Sequence, residues 1–411
     1  MNAPPDADAA RAFTLAAPPA GFAADPYPWY AALRKHNPVH ELAPGFLLLT
    51  RYDDVAAVYR STAVSSDKQR EFGPKYGRGT PLFEHHTTSL VFNDPPLHTR
   101  VRRLLMGAMN QRAIARMEAG VQALVEGLLD SMQARGHEAD LIEDFAARIP
   151  VEVIGNLLAI PHAEREPLRA WSLAILSALE PAPDAALLAR GHAAVTEFIA
   201  MLERLVAERR RMPGDPDVDV LTRLIEGEVD GERLTPQELL HNCIFLLNAG
   251  HETTTNLIGN GVHALLTHRG EYRRLCSDAS LLPTAIDELL RFESPLQLNN
   301  RVTTTPLTLP SRPEEPIAAG TFLTLVIGAA NRDPAQFAEP DRLDIARKPN
   351  LHLAFGHGAH ACSGMNVARL EARIAIGALA RGFAALELAG VPERDLRLRF
   401  RGFRRLPVSW S

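Results

Sequence analysis

The chain is predicted to be mainly α-helical with small β-sheets, built as one domain around a long central helix. Three observations predict this. Between residues 100 and 210 apolar side chains recur at helical spacing, with Met117, Val121, Leu124, Val125, Leu128, Leu129 and Met132 forming one face. Next, Thr235-Pro236-Gln237-Glu238 reads as an N-cap, a proline at the first helical position and a capping-box glutamate. The helix it starts can run to about Leu266, roughly 30 residues or ~45 Å, and is apolar almost all round near Ile244 to Ala249, which suits an interior position. Finally, the strand-like runs, at 45–50 and 321–327, are short.

Taken in order, residues 1–20 are rich in Ala, Pro and Asp and are expected to be a loose tail ahead of a domain over 21–411. A short helix is expected at 29–35, a buried strand at 45–50 and a helix at 53–59. Residues 61–96 differ. Ser66-Asp67-Lys68-Gln69-Arg70 and Lys75-Tyr76-Gly77-Arg78-Gly79 are polar and glycine-punctuated, so an irregular, functional segment is expected. Pro213-Gly214-Asp215-Pro216-Asp217 breaks the helical region, and a closing helix begins near Met365. No repeat or linker is evident.

Composition removes several classes. With 44 basic and 49 acidic residues and a net charge of −5, nothing suggests the basic face of a nucleic-acid binder. The cysteines are Cys243, Cys276 and Cys362, too scattered for a disulfide framework or a structural zinc site, and a reducing cytoplasm fits them. Met1-Asn2-Ala3-Pro4-Pro5-Asp6 lacks the basic and apolar regions of a signal peptide. No run approaches the ~18 consecutive apolar residues of a membrane span, so no membrane association is expected.

The sharpest chemical signal is Phe355-Gly356-His357-Gly358-Ala359-His360-Ala361-Cys362-Ser363-Gly364. A lone cysteine is usually a small buried hydrophobe. Here glycines let the backbone turn and approach a flat ligand closely, and the loop feeds a helix N-terminus, where a thiolate is favoured. The stretch resembles the haem-binding loop of the cytochrome P450 family, FxxGx(H/R)xCxG, with every fixed position filled. The resemblance spans about residues 25–408. It implies a single-domain cytochrome P450 fold with the long helix over a haem b (iron protoporphyrin IX), Cys362 as the iron ligand, and Phe355, Gly356 and Gly364 shaping the loop. A thiolate ligand pushes electron density that favours O–O cleavage. Ser363 stands where the family usually has an aliphatic residue, and its hydroxyl is expected to add a hydrogen bond near the sulfur.

Other motifs follow the same resemblance. Ala249-Gly250-His251-Glu252-Thr253-Thr254 is similar to the oxygen-activation motif A-G-x-(D/E)-T, which implies Thr253 and Glu252 as the catalytic alcohol–acid pair, with Ala249 and Gly250 beside the cofactor. Thr253 at this position can bond back to the Ala249 carbonyl and open the helix locally. Glu288-Leu289-Leu290-Arg291 resembles E-x-x-R, and Pro340-Asp341-Arg342-Leu343 resembles the family's P-(E/D)-R-F. Glu288, Arg291 and Arg342 are therefore expected to form a buried structural network. His98 and Arg102, in an H-x-x-x-R pattern, with Arg301 and His360, are implied as partners of the haem propionates, which need cationic donors. Leu90, Asn242, Phe245, Leu246, Leu296, Gln297, Leu298, Asn299 and Phe403 are implied as the substrate pocket.

The implied activity is a monooxygenase that inserts one oxygen atom from O2 into a small or medium organic substrate, by hydroxylation or oxidative dealkylation. Its partners would be that substrate, O2 and a ferredoxin or flavodoxin-like donor with a separate reductase, docking near Arg102, Arg103, Arg112 and Arg116, and the protein itself would be a cytoplasmic monomer. Two other readings stay open: a peroxide-driven or O2-independent haem-thiolate enzyme, which Glu252 and Thr253 disfavour, and a non-catalytic haem-binding sensor.

Overall fold

The computed structural model describes residues 5–216, 219–228 and 231–411. Met1 to Pro4 of the expected tail and Asp217 of the expected break lie outside the described residues. Helices dominate. They run α1 (Ala7–Arg11), α2 (Tyr27–His36), α3 (Tyr52–Arg60), α4 (Gln69–Tyr76), α5 (Pro81–Thr88), α6 (Leu97–Ala108), α7 (Gln111–Arg135) and α8 (Arg148–Leu157). Then come α9 (Leu168–Ser177), α10 (Ala185–Arg211), α11 (Val220–Glu226), α12 (Pro236–Thr267), α13 (Arg269–Ser277), α14 (Leu282–Phe292), α15 (Ile327–Ala330) and α16 (Met365–Gly382).

The central helix α12 is 32 residues long. Its start carries the reciprocal capping box: Glu238 N donates to Thr235 Oγ1 at 3.2 Å, and Thr235 N donates to Glu238 Oε2 at 2.9 Å. The Glu238 carboxylate also takes Arg100 Nη1 at 3.1 Å, fixing α6 against the start of α12. α12 packs against α5, α8, α9, α10, α14 and α16, which explains why its sequence is apolar nearly all round. α10 is long and apolar enough by length and composition to cross a membrane. Here its face of Ala194, Val195, Phe198, Leu202 and Leu205 is buried in the same core.

A five-stranded sheet lies to one side, in the order Val39–Ala43, Phe46–Leu49, Phe322–Val326, Leu298–Thr303 and Val64–Ser65. The pair Phe46–Leu49 and Phe322–Val326 is parallel, with Leu48 opposite Thr324; the other neighbours are antiparallel.

Two expectations are corrected. The tail is not loose over its described part: Asp6 caps α1, and Ala10, Phe13 and Leu15 are buried in a cluster with Phe22, Tyr30 and Leu33. Segment 61–96 is mostly helical. α4, α5 and a turn of 3₁₀ helix at Leu90–Phe92 bury Phe72, Tyr76, Leu82, Phe83 and Leu90, while Asp67, Gln69, Arg70 and Arg78 face outward.

Candidate functional site

Cys362 lies three residues before α16. Its loop is shaped by Gly356 and Gly358, at φ +65° and +71°, a left-handed conformation that favours glycine. At Gly358 a Cβ would also meet the Tyr59 carbonyl oxygen of α3. Cys362 N donates to the Phe355 carbonyl at 2.8 Å, closing the loop. The side chain is open to a water-sized probe, yet burial pushes the thiol pKa up, while the Gly364 N–H, Arg102 and Arg369 pull it down.

α12 borders the same region, since α16 packs on it. Most α12 residues are buried, but Phe245, Ala249, Gly250 and Thr253 form an accessible stripe at helical spacing. Thr253 Oγ1 donates to the Ala249 carbonyl at 2.7 Å, the back-bond its position suggested. Gly250 has a packing reason: a Cβ there would sit 3.0 Å from Ile154 Cδ1 of α8. Glu252 is 2% exposed and paired with Arg397, a residue that sequence reasoning missed.

Two arginines and two histidines gather beside the cysteine loop. Arg102 Nη2 donates to the Ala361 carbonyl and Nη1 to Ser363 Oγ, both at 2.9 Å. The His98 and His360 rings lie 4.0 Å apart. Burial, then Arg301, His98 and Arg102, drive the His360 pKa down to about 3. Arg301 is buried, with Nη1 on the Asn300 carbonyl at 2.8 Å and its guanidinium over the Tyr59 ring. His98 Nε2 is buried without a hydrogen-bond partner. Two arginines beside two histidines, one with an unpartnered buried ring nitrogen, suit an anionic ligand.

Known proteins identify the family. The cytochrome P450 family description matches residues 184–403. The chain is 37% identical over 402 residues to cytochrome P450 monooxygenase PikC of Streptomyces venezuelae, covering 95% of this chain and 92% of that one. It is 38% identical to vitamin D(3) 25-hydroxylase of Pseudonocardia autotrophica, covering 94% of each. The crystal structure of P450BioI with an acyl carrier protein ligated to hexadec-9Z-enoic acid superposes with TM-score 0.89 at 32% identity, covering 95% of this chain and all 100% of that chain. The chain belongs to the cytochrome P450 family.

As a P450 it is a haem-thiolate monooxygenase whose cofactor is iron protoporphyrin IX. The residues present fit that group. The two arginines, two histidines and the unpartnered His98 Nε2 would suit two propionates. Burial raises the Cys362 thiol pKa, and a bound iron would supply the charge that keeps it a thiolate.

The structure departs from the sequence reading at several residues of this P450. Arg342 does not enter the buried network. Its side chain is 63% exposed and pairs with Glu339 at 3.0 Å, and only its carbonyl takes part. Arg347 takes its place: Nε lies 3.1 Å from both Glu288 oxygens, beside Arg291 Nε at 2.7 Å. Ser363 bonds Arg102. Asn242 is spent on backbone, taking Leu90 N at 3.0 Å and giving to the Glu238 carbonyl at 2.8 Å.

Gln297 donates to the Ser294 carbonyl at 2.7 Å and sits against Gly328. Asn299 bonds the Tyr59 hydroxyl at 3.2 Å and Arg301 at 3.3 Å. Leu90 and Leu246 are buried in the main core, and Leu298 packs with Phe22 and Tyr30 in a separate cluster. Phe403 packs on His263 and under Arg394, away from the accessible stripe. Of the expected pocket residues, Phe245, Leu296 and Asn299 stay partly accessible.

Proposed function

We propose that Cys362 would ligate the haem iron, that His98, Arg102, Arg301 and His360 would hold the propionates, and that Thr253 and Glu252 are the oxygen-activating pair. The observation that carries this is the convergence of Arg102, Arg301, His98 and His360 beside the Cys362 loop, with His98 Nε2 unpartnered. When bound, the haem supplies reductive activation of O2, with two electrons and two protons giving oxygenated product and water. Phe355, Gly356 and Gly364 set the loop. The Thr253 hydroxyl, accessible on α12 and giving its proton to the Ala249 carbonyl, would accept a hydrogen bond in the site, and Glu252 would relay protons.

The substrate is a small to medium apolar organic molecule. Asn242 and Asn299 are engaged by the protein and Gln297 is buried, which leaves apolar surface such as Phe245, Ala249 and Leu296 to hold it. The relatives' names, vitamin D(3) and hexadecenoic acid, are of that class. Electrons come from a ferredoxin or flavodoxin-like protein docking near Arg103, Arg112 and Arg116. Arg102 is turned into the cysteine loop and serves the cofactor instead. The chain works as a cytoplasmic monomer, one haem-thiolate domain.

The test is the absorption spectrum of the reduced, carbon monoxide-bound protein. A strongly red-shifted Soret band in the wild type, lost in Cys362→His, is the expected outcome. Haem bound without that band would remove Cys362 as thiolate ligand.

A further inference from the structure

Asn248 is a buried polar residue at the edge of the accessible stripe of α12 that neither the cofactor nor the alcohol–acid pair uses. His241, Phe245 and Asn248 stand at i, i+4 and i+7, in one row along the helix, and Phe245 belongs to the stripe. α5 packs on α12, and Asn248 Nδ2 lies 3.3 Å from His85 Nε2 of α5. The sense of that bond follows from Ser89. Its hydroxyl donates to the His85 carbonyl at 2.6 Å, so toward His85 Nδ1, 3.5 Å away, Ser89 Oγ can only accept. His85 therefore carries its proton on Nδ1, its Nε2 accepts, and the Asn248 amide N–H is the donor. Asn248 Oδ1 is left as an acceptor, buried and without a partner.

The polar character extends beyond this tie. The ring centroids of His86 and His241 lie 4.9 Å and 5.7 Å from that of His85. His86 Nε2 and His241 Nδ1 are also buried without partners. Burial lowers the pKa of all three imidazoles, to about 3 for His86 and about 4 for His241, so the rings are neutral near pH 7. An orphaned acceptor in the interior costs free energy that a donor from a ligand restores.

We propose that Asn248 Oδ1 accepts a hydrogen bond from a hydroxyl group of the substrate, with His85 holding the amide in that sense. The substrate class is then an apolar alcohol. A carboxylate would meet an acceptor oxygen among neutral rings, and a ketone has no proton to give. This deepens the reading of the α12 stripe as a wall of the substrate site and rests on it.

The experiment uses haem-loaded protein and three matched pairs of probes: menthol and menthone, cyclododecanol and cyclododecanone, 2-dodecanol and 2-dodecanone. Dissociation constants come from titration calorimetry. In at least one pair the alcohol should bind about tenfold more tightly than the ketone. Asn248→Leu, similar in shape but without the acceptor, should bring the two to parity. His85→Phe frees the amide to turn its N–H toward the ligand, so ketone binding should rise toward that of the alcohol.

Equal binding of alcohol and ketone by the wild type, or binding of neither in all three pairs, overturns the proposal. So does an alcohol preference that survives Asn248→Leu, as one from a hydroxyl on the iron would. If Asn248→Leu fails to load haem, His85→Phe decides, and an unchanged alcohol preference there overturns the proposal as well. The reduced, carbon monoxide-bound spectrum keeps the two readings apart. A wild type without the red-shifted band means that the haem-thiolate site itself was misread. A wild type with the band but no alcohol preference means that only the role of Asn248 fails.

Discussion

Glu288 and Arg291 are both fully buried, and the carboxylate also takes Arg347, Asn350 Nδ2 and the Asp344 N–H. Removing one member leaves charge uncompensated in the interior, a loss of about 3 kcal/mol or more. Arg347→Ala should therefore lower the thermal midpoint strongly or abolish haem loading. Arg342→Ala breaks only an exposed pair with Glu339 and should cost ~0.5 kcal/mol. Equal effects of the two substitutions on the melting curve would contradict the network described here. The contrast also shows what single residues reveal. Cys362 and the Thr253–Ala249 bond were legible because loop glycines and helix spacing fix them locally. Arg342 and Arg347 stand in one irregular loop with no period to say which side chain turns inward. Arg397 pairs with Glu252 across 145 positions, and nothing local marks it.

At the scale of elements, α12 was legible to within a residue at each end, since its cap and its apolar girth are sequence properties. Segment 61–96 was not. Its helices are short and their outer faces polar, so the eye meets charges while Phe72, Tyr76 and Leu82 do the packing. The contact between α12 and α8 carries a further outcome. A Cβ at Gly250 meets Ile154 Cδ1 at 3.0 Å and Cγ1 at 3.3 Å, both on a side chain that can yield. Gly250→Ala should thus be near neutral, since helix propensity gains about 1 kcal/mol against a mild squeeze. Gly250→Val should cost about 1–3 kcal/mol by overpacking, and adding Ile154→Val should recover part of it. Thermal midpoints of the four variants in a double-mutant cycle measure the coupling; additive effects would mean that the two helices do not meet at Gly250.

The whole molecule buries ionisable groups of both kinds, and their balance sets its pH range. Burial lowers the pKa of His86 and His251 to about 3 and of His241 to about 4. Unfolded, these imidazoles take up protons near pH 6.5, so the fold loses stability as pH falls below that value. Glu371, inside α16, runs the other way: burial raises it to about 8, and one of its oxygens has no partner. The unfolded chain releases that proton near pH 4.3, so the stability of the neutral acid is complete below that value and drains away as pH rises toward 8. Glu371→Gln keeps the shape and removes the ionisation. It should stabilise the haem-loaded protein by up to about 3 kcal/mol at pH 7, with a smaller gain at pH 5. Thermal midpoints at pH 5, 7 and 8 decide it. A gap that widens with pH assigns the effect to the buried acid. A constant gap would place it in packing, and the alkaline limb of stability would then belong to other groups.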